Sequence, residues 1–304
     1  MPERAVADYR AAPFESLWYD SADGLRLYAR DYPGPEASTR LPVLCMHGLT
    51  RNSADFASIA AHLARSRRVI SVDQRGRGRS DYDPTPANYT PATYVGDMFK
   101  LLDEQGLQQV LLIGTSMGGL MSMLMANMQP ARFPGIVIND IGPEIDPAGL
   151  DRIKRYVGRG HTIGSWAEAV AQTREINAVA FPNYSDEEWL RFTRGLYREV
   201  DGRPQLAHDA ALAQPMLEEG GGAVPPDLWP LFENMTTIPM LVVRGEISDI
   251  LAPACVARMR ELSPTLRVAE VPDRGHAPML DEPAAVAAID DFLAVIDRSP
   301  APGA

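Results

Sequence analysis

Ser116 stands in Gly114-Thr-Ser-Met-Gly118, directly after the apolar run 110–113 and directly before a second apolar stretch, 120–128. The first run reads as a buried strand and the second as a buried helix. A serine on so abrupt a strand-to-helix turn projects its Oγ out of the sheet. Glycine on either side removes the Cβ atoms that would block the turn. The N-terminus of the following helix supplies positive potential where an attacked carbonyl oxygen becomes negative. G-x-S-x-G alone occurs by chance, but between a strand and a helix it points to a nucleophile.

Serine needs a base to become nucleophilic. The chain has five histidines, His47, His62, His161, His208 and His276. His276 follows the last apolar run, 267–271, and comes after the serine and the acids in chain order, as this architecture requires. His62 falls in a helical pattern, and His161 and His208 fall in a mostly helical region, where solvated or structural roles suffice. The base needs a carboxylate to hold one tautomer. Asp249, in Arg244-Gly-Glu-Ile-Ser-Asp249, sits where a loop could turn back toward His276 and is assigned that role. Glu246 lies nearer the strand end. Asp140, directly after run 136–138, is the rival, otherwise read as a strand-end cap or a hinge. Two backbone N–H groups should meet the developing oxyanion, each worth roughly 10²–10³ in rate. Met117, next to the nucleophile, and Leu49, in His47-Gly48-Leu49-Thr50, are expected to supply them. His47 itself reads as a side chain that fixes this loop.

Six short runs rich in Val, Ile and Leu, at 43–46, 69–72, 110–113, 136–138, 240–243 and 267–271, read as buried parallel strands. Amphipathic segments at 53–65, 91–105, 253–262 and 283–296 read as helices. The alternation predicts an α/β fold with a mostly parallel sheet covered by helices on both faces. Segments 16–19 and 25–32, joined by Ser-Ala-Asp-Gly, read as an antiparallel hairpin at the sheet edge. The pattern breaks between about 142 and 230, a stretch with no convincing strand, loops at Pro182-Asn183 and 220–222, and three of the four tryptophans, Trp166, Trp189 and Trp229. It is expected to be an inserted helical cap (142–230) on a core made of 1–141 and 231–304, with a frayed tail at 299–304. The strands end in polar or glycine-bearing loops: His47-Gly48, Asp73, Ser116, Asp140, Asp249 and His276. In open α/β sheets the ligand crevice lies at those carboxyl ends, so residues far apart in sequence can meet there.

Composition narrows the partners. The 29 basic and 40 acidic residues leave a net charge of −11, which opposes binding to a phosphate backbone. Asp73-Gln-Arg75-Gly-Arg77-Gly-Arg79-Ser80 is therefore read as a tight turn whose arginines pair with local acids. No run is long enough for a membrane span and no secretory signal is visible. With Cys45 and Cys255 the only cysteines, a reduced, cytoplasmic setting is expected. No metal cluster, phosphate loop or nucleotide fingerprint is visible, so no cofactor is expected. Oligomeric state is not legible, and a homo-oligomer stays open.

With these residues in hand, the chain resembles the α/β-hydrolase fold superfamily over essentially its whole length. The resemblance rests on Met46-His-Gly-Leu49, the Asp73–Ser80 turn, Gly114-Thr-Ser-Met-Gly-Gly119, Arg244-Gly-Glu-Ile-Ser-Asp249 and Gly275-His276. It implies eight strands and a cap over the active site. Epoxide hydrolases and haloalkane dehalogenases of the superfamily use an aspartate nucleophile, which serine at 116 argues against. The His-Gly-Leu-Thr loop lacks the extra glycines and proline associated with carbon–carbon bond hydrolases of aromatic degradation. The expectation is a serine hydrolase cleaving a small carboxylic ester or lactone through an acyl-enzyme. The cap's tryptophans, with Phe181, Tyr184 and Phe192, could line its pocket or form the cap's own core. Acyl transfer or perhydrolysis on the same triad, and a ligand receptor retaining it, are the alternatives.

Overall fold

The structure is a computed structural model that describes residues 12–157, 163–217 and 227–298. His161, the 220–222 loop and the 299–304 tail lie outside the described residues. The chain opens with β1 (Glu15–Asp20) and β2 (Arg26–Tyr32), the expected hairpin, and continues through β3 (Val43–Met46), α1 (Ala57–Leu63), β4 (Val69–Asp73) and α2 (Pro91–Glu104). Then come β5 (Leu111–Thr115), α3 (Met117–Met128) and β6 (Ile136–Asn139). An inserted segment follows, with α4 (Pro147–Tyr156), α5 (Trp166–Asn177), α6 (Asp186–Leu196), β7 (Tyr197–Val200), β8 (Arg203–Leu206), α7 (Gln214–Leu217) and α8 (Trp229–Asn234). The chain closes with β9 (Met240–Gly245), α9 (Pro253–Leu262), β10 (Arg267–Val271) and α10 (Pro283–Ile296).

Eight strands form one sheet in the order β1-β2-β4-β3-β5-β6-β9-β10. β2 runs antiparallel to both its neighbours, and the pairs from β4 to β10 are parallel. The sheet is buried on both faces, which is why its strands read as unbroken apolar runs. Leu44, Met46 and Leu112 point into one core with residues of α2, α3, α8 and α9. Val43, Cys45, Leu111 and Ile113 point into the other, with α1 and α10. Truncating a side chain such as Leu112 to alanine would cost about 2–5 kcal/mol.

Helix starts follow local chemistry. Proline at the first position opens α2, α4, α9 and α10, where its missing N–H loses nothing. Ser185 and Glu188 form a reciprocal capping box on α6. The inserted segment departs from the sequence reading in one respect, because it contains the antiparallel pair β7–β8. The turn between them is Asp201-Gly202, both with positive φ (51° and 75°), the demand of a two-residue hairpin turn. That Asp-Gly pair was the available signal. Trp229 and Phe232 of α8 pack in the core with α3 rather than with the rest of the segment.

Candidate active site

Ser116 joins β5 to α3 with φ 52° and ψ −116°, a conformation that costs a non-glycine residue about 1–3 kcal/mol. Its surroundings enforce it. The Ser116 N–H donates to Asn139 O at 2.9 Å, and its own carbonyl accepts from Gly119 N–H at 2.8 Å. A Cβ at Gly114 would run into the Gly118 carbonyl, and one at Gly118 into the Met46 carbonyl. The glycines on either side of the serine are therefore required by contact as well as by curvature.

His276, in the loop after β10, brings Nε2 to 2.9 Å from Ser116 Oγ and Nδ1 to 2.9 Å from Asp140 Oδ2. Asp140 follows β6, the strand beside the one that carries the serine, and has φ 57°. It is fully buried. Its Oδ1 accepts the Gly245 N–H at 2.8 Å, and its Oδ2 also accepts the Ser248 hydroxyl at 2.7 Å. A carboxylate there makes Nδ1 the protonated ring nitrogen and leaves Nε2 free to accept the serine proton. Asn139 ties the assembly together, its Nδ2 donating to Thr115 Oγ1 and to Pro278 O.

The acid in contact with His276 is thus Asp140, not Asp249. Asp249 is held by Arg152 of α4, whose Nη2 donates to Oδ1 at 2.9 Å and whose Nε donates to Oδ2. Burial works against its charge, but that guanidinium holds its carboxyl below the usual range. It fastens the inserted segment to the loop after β9. Gly245, the last residue of β9, and Ser248 of the same loop donate to Asp140, two partners the sequence reading missed. Asp140 follows the strand next to the nucleophile's, a placement that only the sheet order reveals.

The loop after β3 lies against the serine. A methyl built on Gly48 would sit 3.6 Å from Ser116 Cβ. His47 is fully buried, and its pKa is pushed down to about 3, by burial first and then by the charge of Arg77. The neutral ring accepts the Gln74 N–H at Nε2 (3.1 Å) and donates from Nδ1 to Gly48 O (2.7 Å). That is the loop-fixing role expected of it. Met117 is the first residue of α3, where a backbone N–H has no acceptor inside the helix. The arginine turn is only partly as expected. Arg75 pairs with Asp23, Asp83 and Asp97. Arg79 stacks over Tyr28 and Trp18, and Arg77 spends its donors on Leu49 O, Arg75 O and Met117 Sδ.

A strained serine on a strand-to-helix elbow, bonded to a histidine that is bonded to a buried carboxylate, is equipped to deliver an alkoxide to an electrophilic carbon. Residues 42–283 match the model of the alpha/beta hydrolase fold family. The chain belongs to that family. It is 33% identical over 280 residues to the 3-hydroxybutyrate-oligomer hydrolase of Cupriavidus necator, covering 90% of this chain and 94% of that one. It is 32% identical to the 2-(acetamidomethylene)succinate hydrolase of Mesorhizobium japonicum, covering 77% and 81%. An alpha/beta hydrolase crystal structure from Novosphingobium aromaticivorans is similar at 41% identity and a TM-score of 0.88, covering 93% and 99%.

In this α/β-hydrolase a cavity of about 470 Å³ lies between the sheet's carboxyl edge and the inserted segment. Ser116, His276 and Leu49 form part of its wall, and α5, α6 and the β7–β8 pair contribute much of the rest. Of the aromatics singled out from the sequence, Phe181 and Phe192 reach this wall. Together with Trp189 and Tyr184 they make a small core of their own. Trp166 instead donates to Glu199, and Trp229 packs under α3. Arg203, which the sequence did not mark, and His208, read there as solvated or structural, also line the cavity. Arg203 is exposed and, among the described residues, forms no ion pair. His208 is partly buried, its pKa pushed down to about 4 by desolvation and by Arg77. A second, apolar cavity of about 70 Å³ opens at Ser116 and is walled by Tyr94, Met117, Leu120, Ile141, Leu150 and Leu212. Among the described residues, no helix is long and apolar enough to cross a membrane.

Proposed function

We propose that this α/β-hydrolase cleaves a carboxylic ester through an acyl-enzyme on Ser116, with His276 as the base and Asp140 orienting it. The observation that carries this reading is the unbroken chain of contacts Ser116 Oγ–His276 Nε2 and His276 Nδ1–Asp140 Oδ2, both 2.9 Å. As Oγ attacks the carbonyl carbon, Nε2 takes its proton, and the buried Asp140 carboxylate stabilises the imidazolium that forms. The carbonyl oxygen, now negative, accepts the N–H groups of Leu49 and Met117. Collapse of the tetrahedral intermediate breaks the bond to the alkoxy oxygen, which leaves with the proton from Nε2. Water then enters, gives a proton to the same nitrogen and attacks the acyl carbon; as the second tetrahedral intermediate collapses, the acid departs and Nε2 returns the proton to Ser116 Oγ.

The two cavities that meet at Ser116 suit an ester with unlike halves. The small apolar one has room for a chain of roughly two to four carbons, set against the 10–15 Å³ that one water needs. The wide one accepts a larger, polar half, and the unpaired Arg203 at its wall suits a carboxylate. The relatives named for 3-hydroxybutyrate oligomers and for 2-(acetamidomethylene)succinate are in keeping with acidic substrates.

The reading is tested with p-nitrophenyl acetate and butyrate and with a fluorophosphonate. Wild type should turn both esters over and gain the mass of one phosphonyl group on Ser116. Ser116→Ala should lose about 10⁴-fold or more in kcat and stay unlabelled. Equal rates for wild type and Ser116→Ala would end the proposal.

A further inference from the structure

The largest fully buried side chains in this molecule include three arginines, Arg67, Arg75 and Arg77. Two of them are neutralised where they lie. Arg67 pairs with Asp297, and Arg75 is surrounded by Asp23, Asp83 and Asp97. Arg77 is 0% exposed, and among the described residues no carboxylate comes within ion-pair distance of it. A buried cation without a counter-charge is costly, and its ring contacts, 4.6 Å to the Tyr94 centroid and 5.7 Å to that of Tyr89, offset only part of that cost. Its carbonyl and sulfur partners are neutral as well. The fold has kept its full charge against Leu49 and Met117.

What Arg77 touches gives that charge a use. Its Nε donates to Leu49 O at 2.9 Å, its Nη1 to Arg75 O at 2.8 Å, and its Nη2 reaches Met117 Sδ at 3.7 Å. Leu49 and Met117 are the two residues whose N–H groups are assigned above to the oxyanion. A trans peptide is planar, with its carbonyl and N–H pointing opposite ways, so fixing one fixes the other. The Gly48 carbonyl, in the same peptide as the Leu49 N–H, is held by His47 Nδ1 and by the Arg51 N–H at 3.1 Å. The Leu49 carbonyl, in the next peptide, is held by Arg77. With both planes pinned, the Leu49 N–H has one direction left. The turn that carries Arg77 is itself anchored, since Gly78 N–H donates to Ala207 O at 2.7 Å and Gly76 O accepts from Asp209 N–H at 2.8 Å.

We infer that Arg77 is the positioning residue of the oxyanion site. It pins the Leu49 carbonyl in the peptide that follows the first donor, holds the Met117 side chain beside the second, and supplies an uncompensated positive charge that favours the tetrahedral intermediate over the neutral ester. The inference rests on the assignment of Ser116 and its two N–H donors, and it adds that a buried cation outside the triad discriminates transition state from ground state. The neutral ester gains little from that charge and the oxyanion gains most, so the effect belongs in kcat.

The experiment compares wild type, Arg77→Met and Arg77→Lys with p-nitrophenyl acetate and with a trifluoromethyl ketone, whose hydrate-like serine adduct carries an oxyanion. Arg77→Met should lower kcat about hundredfold, the scale of a misplaced catalytic group, with KM moving less than about threefold. The inhibition constant of the ketone should rise in step with the loss in kcat/KM. Arg77→Lys keeps the charge but cannot reach Leu49 O, Arg75 O and Met117 Sδ together, and should lose about tenfold. Ester binding to each variant in a Ser116→Ala background should stay within about threefold. If the ketone binds the variants as tightly as wild type, or if ester and ketone affinities fall together, Arg77 only supports the fold and the inference is overturned. Should Arg77→Met fail to fold, Arg77→Lys decides on the same criterion. Failure of the underlying reading looks different, because wild type itself would then be neither hydrolytic nor labelled by the phosphonate.

Discussion

Asp140 and Asp249 are two aspartates on neighbouring loops at the same edge of the sheet, and they are satisfied in opposite ways. Asp140 is fully buried and takes its hydrogen bonds from neutral groups, the Gly245 N–H and the Ser248 hydroxyl, besides His276. Asp249 has a side chain 33% exposed, and its charge is met by the Arg152 guanidinium. Dipoles hold a carboxylate in place without cancelling its charge, which leaves Asp140 able to stabilise an imidazolium when one forms. A guanidinium cancels what it holds. What qualifies an acid to orient a base is therefore the neutrality of its other partners rather than its reach in sequence.

Asparagine at each position tests that contrast most strongly. Asp140→Asn should cut kcat about 10⁴-fold, because an amide cannot hold the Nδ1–H tautomer. Asp249→Asn should leave kcat within a few-fold of wild type while lowering the melting temperature through the lost Arg152 pair. Hydrolysis of p-nitrophenyl acetate and a thermal melt on both variants suffice, and the reverse ranking would return the role to Asp249. The error it would expose is instructive. From sequence, the strands, the hairpin, the nucleophile elbow, His276 and the loop role of His47 were all legible, because each is written in local periodicity or in glycine and histidine placement. The acid was not, since both candidates follow an apolar run and both precede His276. Choosing between them requires the sheet order, in which β6 lies next to β5, and the position of Arg152 on α4, which no local pattern announces. The β7–β8 hairpin was passed over because alternation in its short strands is weak, although Asp201-Gly202 marked the turn. The partners of Arg77 lie 28 and 40 positions away, beyond any spacing rule.

Acid separates the two regions by a second route. His47 is fully buried and His208 partly so, and both are held neutral, with pKa values pushed down to about 3 and about 4. The unfolded chain binds protons at these histidines near pH 6.5 while the folded chain does not, so stability is full above that value and falls as pH drops toward 4. For His208 the depression corresponds to roughly 3 kcal/mol, at about 1.4 kcal/mol per pH unit. The Asp249 carboxyl is shifted downward in the folded state, so its contribution is present above the ordinary carboxylate pKa and is lost only as pH falls below it. Urea unfolding from pH 7 to pH 2.5 should show both windows. His208→Gln should shrink the upper one, leaving the part due to His47, and leave the lower in place, and Asp249→Asn should do the opposite. A single window that responds to both variants would show the two regions to be coupled.

The smallest expected effect concerns the two arginines of the inserted segment, Arg152 and Arg203. Arg152 has already committed its charge to Asp249, whereas Arg203 lines the wide cavity with no ion-pair partner among the described residues. The cavity wall carries Arg51, Arg203 and Asp55, and Arg51 is taken up by Asp55 at 2.6 Å. In a chain of net charge −11, Arg203 is thus the cavity's available attraction for an anion. Arg203→Gln should raise KM for an ester bearing a free carboxylate by about three- to tenfold, with kcat little changed. The methyl ester of the same compound should be unaffected, since the lost interaction binds ground state and transition state alike. Because Arg203 is exposed, the difference between the two substrates should shrink in 0.5 M salt, where screening reaches within a few ångströms. Equal losses on the charged and neutral substrates would mean that Arg203 shapes the wall without reading the charge of what enters.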